Sequence, residues 1–379
     1  MTALLVLLSI VLITIITIQI GKVTELASKI RGEEEMQDII NRRQSVYMIV
    51  FMVVFLVAAT ASGLYYKNYM LGFGPLQPAS AHGGSLDTMF KVTLFFTGIV
   101  FVITQILLFA FAFKYRARRG TVSSFISHDN KLEVIWTIIP AVVMTFLVVG
   151  GLDAWNEVMA DLTDEEDYIE IEATGFQFGW NLRYPGPDGQ LGAKSFKLIS
   201  GSNPLGQDWK DKKNLDDFHP GEIVLPKGKK VRVRITAQDV LHNFYLPHFR
   251  VKMDAVPGMP TYFVFTPIKT TDEYRQELSN YPEYNVPADP KDPASKMLWE
   301  VFDYELACAE LCGRGHYSMR RVVRIVEPDE FEAWQAQQQS YFFSNVRGKE
   351  DDPWKGVVLE GEVAAPAAPA PTDTTSTQK

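Results

Sequence analysis

Cys308-Ala-Glu310-Leu-Cys312-Gly-Arg-Gly-His316-Tyr-Ser-Met319 is the stretch that decides the fold of this 379-residue chain. It holds the only two cysteines of the sequence, followed closely by a histidine and a methionine. Thiolate, imidazole and thioether are ligands that soft, redox-active copper prefers. One loop cannot supply a second imidazole from the opposite side, so we expect His242, in Asp239-Val-Leu-His242, to complete the site. Two thiolates, two imidazoles, one thioether and one backbone carbonyl suit a pair of copper ions.

The Cys-x-Glu-x-Cys-x-x-x-His-x-x-Met pattern, with Asp-Val-x-His upstream, resembles the dinuclear CuA centre of subunit II of haem–copper cytochrome c oxidases. The resemblance covers roughly residues 90–335. It implies that the two thiolates bridge the copper ions, that both imidazoles are terminal ligands and that the thioether is a weak axial ligand. The backbone carbonyl of Glu310 would lie opposite that thioether. These ligands are His242, Cys308, Glu310, Cys312, His316 and Met319.

Other readings of the cysteines and histidines stay open at this point. Cys308 and Cys312 could form a disulfide in an oxidising compartment. His248, six residues after His242, is a rival copper ligand, and the alternative for it is a histidine at a surface or interface. The remaining histidines lie in predicted loops without partner ligands nearby and receive no role; they are His82, His128 and His219.

Charge is distributed unevenly along the chain. Residues 1–154 carry 12 Lys/Arg and 9 Asp/Glu, whereas residues 155–379 carry 25 and 36, which accounts for the net charge of −8. An acidic C-terminal half disfavours nucleic acid and attracts a basic partner by long-range electrostatics. Both cysteines belong to residues 308–319, here called the copper loop, and none is left for a Cys-x-x-Cys-His haem attachment. We therefore expect no haem in this chain.

Four apolar runs, at 3–20, 46–66, 93–113 and 134–152, each have about the length needed to span a membrane as a helix. The first run lacks a preceding basic region and a small-residue cleavage site, so we interpret it as a retained span rather than a signal peptide. Basic residues concentrate in the loops after the first and third runs, which predicts that these loops face the cytoplasm. Both chain termini and the copper loop would then lie on the outer side.

The resemblance covers the third and fourth spans, and the first two are additional to the family pattern. His128-Asp-Asn-Lys-Leu-Glu133-Val-Ile-Trp136 resembles the start of the family's second span. It implies that Glu133 lies at the cytoplasmic mouth of a proton path into the partner subunit. The alternative is a solvated carboxylate beside Lys131. Ionisable residues at membrane spans often mark such paths.

Beyond about residue 165 the pattern changes to short strands. Alternating segments at 168–172, 231–236, 261–265 and 321–326 predict an antiparallel sandwich or barrel. The resemblance makes this a cupredoxin-like Greek-key barrel. We expect a short helix over 329–344, and surface loops over 186–220 and 268–297.

The family admits electrons through a tryptophan directly after a glutamine. Here Phe178 follows Gln177, and the nearest tryptophan is Trp180, so we expect one of these two aromatic residues to serve that step. The alternative for Phe178 is a packing substitution. By resemblance, Asp239 faces the electron donor, and Lys252 and Asp254 meet subunit I. The Glu310 carboxylate would bind a magnesium ion shared with subunit I, which suits an oxygen donor.

Four segments follow from these observations. We predict extra N-terminal spans over 1–66, a transmembrane helical hairpin over 67–154, a periplasmic cupredoxin-like domain over 155–345, and a disordered Ala/Pro/Thr-rich tail over 346–379. The predicted fold class is therefore transmembrane α-helices followed by an all-β cupredoxin-like Greek-key barrel.

The resemblance implies a subunit of a terminal respiratory oxidase in the bacterial inner membrane. It would pass electrons from cytochrome c, or a similar donor, through CuA to haem in subunit I, where oxygen reduction is coupled to proton pumping. Subunits I and III, the donor, membrane lipid and a larger respiratory supercomplex are the implied partners. The alternative is the CuA subunit of a related haem–copper nitric oxide reductase.

Other classes of function fit the sequence less well. A quinol oxidase subunit lacks the copper ligands, and the soluble nitrous oxide reductase lacks the membrane spans. A copper chaperone leaves Glu133 and the Lys252–Gly258 motif unexplained, and a disulfide-bonded receptor domain predicts no metal.

Overall fold

The computed structural model describes residues 2–70, 77–162 and 167–359. Four long helices come first: α1 (Thr2–Arg31), α2 (Glu33–Met70), α3 (Gly83–Lys114) and α4 (Asn130–Val158). All four are long and apolar enough to cross a membrane, as the sequence predicts. Helix α2 begins well before its apolar run because Glu33, Glu34 and Glu35 occupy its first turn, where carboxylates complement the helix dipole.

Residues 2–70 and 88–150 form one compact unit of helices. Within it, Phe51 and Phe55 of α2 pack against Phe109 and Phe101 of α3, with ring centroids 6.0 and 6.3 Å apart. The extra N-terminal helices are therefore joined to the predicted hairpin through α2. Pro140 lies inside α4, as the sequence indicates, and does not end that helix.

The second unit contains residues 77–87 and the described part of 151–359. Its nine strands are β1 (Tyr168–Phe176), β2 (Gly179–Arg183), β3 (Ile223–Pro226), β4 (Lys230–Ala237), β5 (His242–Leu246), β6 (Val251–Ala255), β7 (Thr261–Phe265), β8 (Tyr304–Cys308) and β9 (Arg320–Val326). They form a four-stranded sheet in the order β2-β1-β4-β7 and a five-stranded sheet in the order β3-β9-β8-β5-β6. The expectation of purely antiparallel pairing is wrong at two places, because β1–β4 and β3–β9 are parallel. Strands that reach a sheet through crossover connections, rather than hairpins, can pair in this way.

The core between the sheets follows directly from alternation in the sequence. Val231, Val233 and Ile235 of β4 are fully buried, while the intervening Arg232 and Arg234 point outward and pair with Glu170 of β1. This is the pattern of a strand with one face in the core. The predicted strands at 168–172, 231–236, 261–265 and 321–326 are all present.

Residues 77–87 pack as part of the β unit. The Ala79 backbone N–H donates to the His248 carbonyl (2.8 Å), and Ser80 Oγ donates to the Phe249 carbonyl (2.5 Å). Arg250, in the left-handed region with φ 57°, reaches Asp87 with two hydrogen bonds of 2.7 and 3.0 Å. The first residues of α3 are therefore attached to the turn between β5 and β6.

Three sequence-based boundaries need correction. The loop predicted over 268–297 contains helix α5 (Thr271–Leu278), whose Tyr274 and Leu278 enter the core. The helix predicted over 329–344 is two helices, α6 (Pro328–Ala336) and α7 (Tyr341–Asn345). The predicted tail begins too early, because residues 346–359 fold back and bury Val346 and Leu359 beside Trp209. Residues 360–379 lie outside the described residues.

Candidate metal centre

The loop between β8 and β9 carries most of the predicted ligands. Pairing of Ala307 with Arg320 brings the ends of the loop together, and the Cys308 backbone N–H donates to the Met319 carbonyl (3.2 Å). Strand β5 lies beside β8 in the same sheet, with Phe244 opposite Cys308. His242, the first residue of β5, therefore reaches the loop from a neighbouring strand.

All six predicted ligand atoms converge at this place. Cys308 Sγ lies 3.9 Å from His242 Nδ1, 3.2 Å from the Glu310 carbonyl oxygen and 3.9 Å from Cys312 Sγ. Cys312 Sγ lies 3.6 Å from His316 Nδ1 and 3.3 Å from Met319 Sδ. Two sulfurs thus lie at the centre, with an imidazole at each side. This donor set fits two soft metal ions.

Both cysteines are free thiols in this structure. Their sulfurs are 3.9 Å apart, about twice the ~2.05 Å length of a disulfide bond. Burial and the neighbouring Cys308 raise the pKa of the Cys312 thiol to about 11. The geometry therefore does not support the alternative of a structural disulfide.

A network of hydrogen bonds holds the buried His242, a predicted ligand, in place. Its Nε2 lies 2.8 Å from Asp239 Oδ1, which leaves Nδ1 to face the sulfurs. Asp239 also accepts from the backbone N–H groups of Gln177 and Val240, both at 2.7 Å. Burial raises the pKa of Asp239, but these hydrogen bonds outweigh it and the resulting pKa lies below its ordinary value. Fixing one imidazole nitrogen in this way orients the other toward a metal.

Gln177 connects the aromatic strand to the copper loop. Its Nε2 donates to the Cys312 carbonyl (2.6 Å). A Cβ at Gly175 would lie 2.9 Å from the His242 ring, so this position needs glycine for the close approach. Sequence reasoning missed Gln177 as a supporting residue and assigned Asp239 to the electron donor. The spacing Asp-x-x-His was the available signal for the Asp239–His242 contact.

The two aromatic candidates occupy different environments. Trp180 is buried beneath the site, with its ring centroid 6.1 Å from that of His242. Phe178 is 39% exposed and covers the copper loop so closely that a Cβ at Gly315 would lie 2.5 Å from its ring. Of the two candidates, Phe178 is therefore the one that a partner could reach.

Other predicted residues lie around or away from the centre. Lys252 and Asp254 are on β6, where Asp254 accepts a hydrogen bond from Asn243 Nδ2 (2.6 Å). The Glu310 side chain is exposed, while its carbonyl faces Cys308. Glu133 lies in the first turn of α4, in the helical unit.

None of the other histidines joins the ligand cluster in the described part of the chain. His248 packs among Tyr274, Phe302 and Tyr304, with ring centroids 5.1–5.6 Å away, and the structure does not bring it to the ligand cluster. Burial lowers the pKa of His248 to about 4 and that of His219 to about 3. His82 is also buried, against Phe263.

Comparison with known proteins gives two family matches. The model of the cytochrome c oxidase subunit II transmembrane domain matches residues 67–153, and that of the periplasmic domain of the same subunit matches residues 169–276. The two ranges together cover just over half of the chain.

Individual relatives agree with these matches. The alternative cytochrome c oxidase subunit 2 of Bradyrhizobium diazoefficiens is 31% identical over 266 residues, covering 70% of this chain and 84% of the relative. Cytochrome c oxidase subunit 2 of Cereibacter sphaeroides is 26% identical, over 73% of this chain and 83% of the relative. The periplasmic domain of cytochrome oxidase subunit II from Bradyrhizobium japonicum is 26% identical over 46% of this chain and 95% of that domain, with a TM-score of 0.28. The family matches and the described helices and strands confirm the predicted fold class.

Proposed function

Because this chain belongs to the cytochrome c oxidase subunit II family, we propose that it receives single electrons at a CuA centre and passes them to haem in subunit I. The observation that carries this proposal is the convergence of six donor atoms from His242, Cys308, Glu310, Cys312, His316 and Met319. The family places the chain in a haem–copper oxidase, an oxidoreductase complex of the membrane.

The protein's part in electron transfer is to keep the donor atoms fixed. A copper pair held by these residues would supply one-electron transfer with little change in geometry. Strands β8 and β9 hold both ends of the ligand loop, and Asp239 holds His242. The Trp180 ring packs against that imidazole (centroids 6.1 Å apart) and, edge to face, against Phe244 (5.7 Å). Donor atoms and supporting hydrogen bonds that are held rigidly in this way limit the structural reorganisation when the charge of a bound metal changes.

The simplest test is copper stoichiometry combined with electron paramagnetic resonance on the purified full-length chain. We expect about two copper ions per chain with hyperfine coupling spread over both nuclei. His242→Ala should abolish this signal, whereas His248→Ala, the control, should retain it because that ring lies in the aromatic cluster. One copper ion or none in the unaltered chain would contradict the proposal.

Oxygen reduction coupled to proton pumping is the proposed activity of the whole complex. Relatives named cytochrome c oxidase subunit 2 favour this over the nitric oxide reductase alternative. Subunits I and III and a c-type cytochrome are the proposed partners, with Lys252 and Asp254 at the boundary with subunit I. Comparing oxygen and nitric oxide consumption by the purified complex distinguishes the two activities.

The proposed arrangement places the copper domain outside the bacterial inner membrane. The basic loops of the helical unit, including Arg118 and Arg119, would face the cytoplasm. The attachment of residues 77–87 to the β unit supports an outer position for the start of α3.

Glu133 is proposed to deliver protons toward subunit I from the cytoplasmic end of α4. Glu133→Gln should slow oxygen turnover of the complex about tenfold or more, since a proton donor is lost while helix and copper site remain. Copper content and its spectrum should be unchanged. Lys131→Gln is the matched control, and normal turnover in the Glu133 variant would refute the role.

A further inference from the structure

The turn between β1 and β2 reaches from the four-stranded sheet to the copper loop, which connects two strands of the other sheet. It consists of Gln177 and Phe178, because Phe176 and Gly179 are the last pair of the hairpin. A two-residue turn has few backbone conformations, since the paired strands on both sides constrain it. The backbone of both turn residues is therefore positioned by the sheet.

Gln177 makes hydrogen bonds to both sides of the copper centre. Its side-chain Nε2 donates to the Cys312 carbonyl (2.6 Å), and its backbone N–H donates to Asp239 Oδ2 (2.7 Å). The other carboxylate oxygen of Asp239 lies 2.8 Å from His242 Nε2. Among the residues that the structure describes, no other hydrogen bond joins residues 310–318 to a segment outside the copper loop. Gln177 thus links the middle of this loop to the carboxylate that holds His242.

The Phe178 ring packs on Gly313 and Gly315, which lie between the predicted ligands Cys312 and His316. A Cβ at Gly315 would lie 2.5 Å from Phe178 Cγ, and one at Gly313 would lie 3.0 Å from its Cζ. Gly313 needs glycine in any case, because its φ of 132° is unfavourable for other residues. Gly315 has an ordinary φ of −93°, so only the close approach of the ring requires glycine there. Phe178 and Gly315 are therefore a matched pair.

Phe178 can act on this segment only through packing. Its ring has no hydrogen-bonding group, and the part of the residue that is not exposed includes the face against the two glycines. Closely packed atoms lose attractive contacts when they are displaced, so such a ring restricts the segment beneath it. Loss of the ring should loosen the segment, whereas an aliphatic side chain of similar volume should still hold it.

We propose that Gln177 and Phe178 are positioning residues, which clamp the segment between Cys312 and His316 and so keep these two ligands at a fixed separation. Cys312 Sγ lies 3.6 Å from His316 Nδ1 in this arrangement. Removing residues that orient metal ligands typically lowers metal affinity about 10- to 100-fold. The clamp therefore governs how firmly copper is retained and the reduction potential of the centre. This inference rests on the proposed function, because it concerns the copper pair.

The first test removes each half of the clamp from the copper-loaded full-length chain. The rate of copper loss to excess bathocuproine disulfonate measures retention, and electron paramagnetic resonance and the reduction potential report on ligand geometry. Gln177→Ala and Phe178→Ala should each raise the rate of copper loss about tenfold, with an altered hyperfine pattern and reduction potential. The matched controls Gln276→Ala and Phe196→Ala, at exposed residues elsewhere in the β unit, should change none of these.

The matched pair is tested separately by Gly315→Ala. Its methyl group should displace the Phe178 ring and raise the rate of copper loss, while Gly221→Ala, at an exposed glycine without close neighbours, should not. The clash is absent when Phe178→Ala and Gly315→Ala are combined, so the combined effect should be smaller than the product of the single effects. Single effects that simply multiply would contradict the contact between ring and glycine as the cause.

Phe178→Leu distinguishes positioning from electron entry, the role that the family resemblance gives to this position. Leucine keeps most of the apolar volume but removes the aromatic ring. Copper retention, the spectrum and the rate of reduction by cytochrome c should therefore stay within about twofold of those of the unaltered chain. A slower reduction by cytochrome c in both Phe178 variants, with unchanged copper retention and spectrum, would assign Phe178 to electron entry and overturn its role in the clamp.

Unchanged copper retention and an unchanged spectrum in both alanine variants would overturn the clamp as a whole. Both turn residues are exposed, so we expect all variants to fold, and circular dichroism of the metal-free chain checks this. Failure of the proposed function looks different, since the unaltered chain itself would then bind fewer than two copper ions or show no hyperfine coupling to both nuclei.

Discussion

At the scale of single residues, Asp239 is the position where structure and sequence-based interpretation differ most. The sequence assigns it to the electron donor, whereas its carboxylate contacts His242 Nε2 and two backbone N–H groups. It therefore positions His242, a proposed ligand of the copper centre.

Asp239→Asn tests this positioning role. The amide keeps the size of the side chain but removes the charge and one acceptor, so His242 is held less firmly. We expect copper affinity to fall about 10- to 100-fold and the hyperfine pattern to change. Asp272→Asn, at a highly exposed carboxylate on α5, is the control. A variant with an unaltered spectrum and slower reduction by cytochrome alone would restore the docking role.

Glu310 combines two roles in one residue, a carbonyl toward the sulfurs and an exposed carboxylate. Glu310→Gln leaves the backbone in place, so we expect both copper ions to remain bound. The proposed magnesium ion should be lost, because an amide is a weaker ligand for it than a carboxylate. Metal analysis of the purified complex measures both. Loss of copper, or retention of magnesium, would contradict the assignment.

At the scale of elements, the sequence predicts the ligand loop and its flanking strands because the ligand spacing and the alternation of β9 are both local. It identifies His242 through the Asp-x-x-His spacing. It does not give the β5–β8 pairing that carries this residue to the loop, since that contact joins residues more than sixty positions apart. Helix α5 was missed despite its capping box, Thr270 with Glu273, because charged and proline-rich neighbours dominate the composition.

The aromatic cluster around His248 also depends on long-range packing. Tyr274 of α5, Phe302 and Tyr304 of β8 enclose the ring, and Arg250 adds positive charge beside it. Both burial and Arg250 disfavour the protonated form, which lowers the pKa to about 4. The His248 imidazole is therefore neutral in the folded protein at pH values well above 4.

This cluster predicts a dependence of stability on pH. Below its ordinary pKa of 6.5, the unfolded histidine binds a proton that folded His248 rejects, so the free energy of unfolding falls as pH drops from 6.5 to about 4. The slope is at most about 1.4 kcal/mol per pH unit for one residue. His219, with a pKa of about 3, contributes in the same direction. Urea unfolding of the reduced, metal-free chain measures this.

His248→Phe should make that pH profile shallower, since it removes one of the three histidines whose pKa burial lowers, the others being His82 and His219. His128→Phe, in the exposed loop before α4, should leave the profile unchanged. An equally steep profile in the His248 variant would show that protonation of this ring does not limit acid stability.

At the scale of the whole chain, the sequence predicts the division into membrane helices and a β domain, because hydropathy and charge change sharply along it. It does not predict that the insertion 186–220 and the C-terminal segment 341–359 build a second small core. Trp209 of the insertion packs against Phe342, Val346 and Leu359 there. The composition of residues after 345 indicates disorder, and only packing against a distant insertion orders residues 346–359.

Trp354 packs against the edge of this second core. Its Nε1 donates to the Trp209 carbonyl (2.7 Å), and its backbone carbonyl accepts from Arg347. Trp354→Ala should lower the free energy of unfolding of the β domain by about 2–3 kcal/mol, through lost burial and one hydrogen bond. Val358→Ser, at an exposed site in the same segment, should change it by less than about 0.5 kcal/mol. An unchanged free energy of unfolding in the Trp354 variant would show that the second core does not contribute to the stability of the β domain.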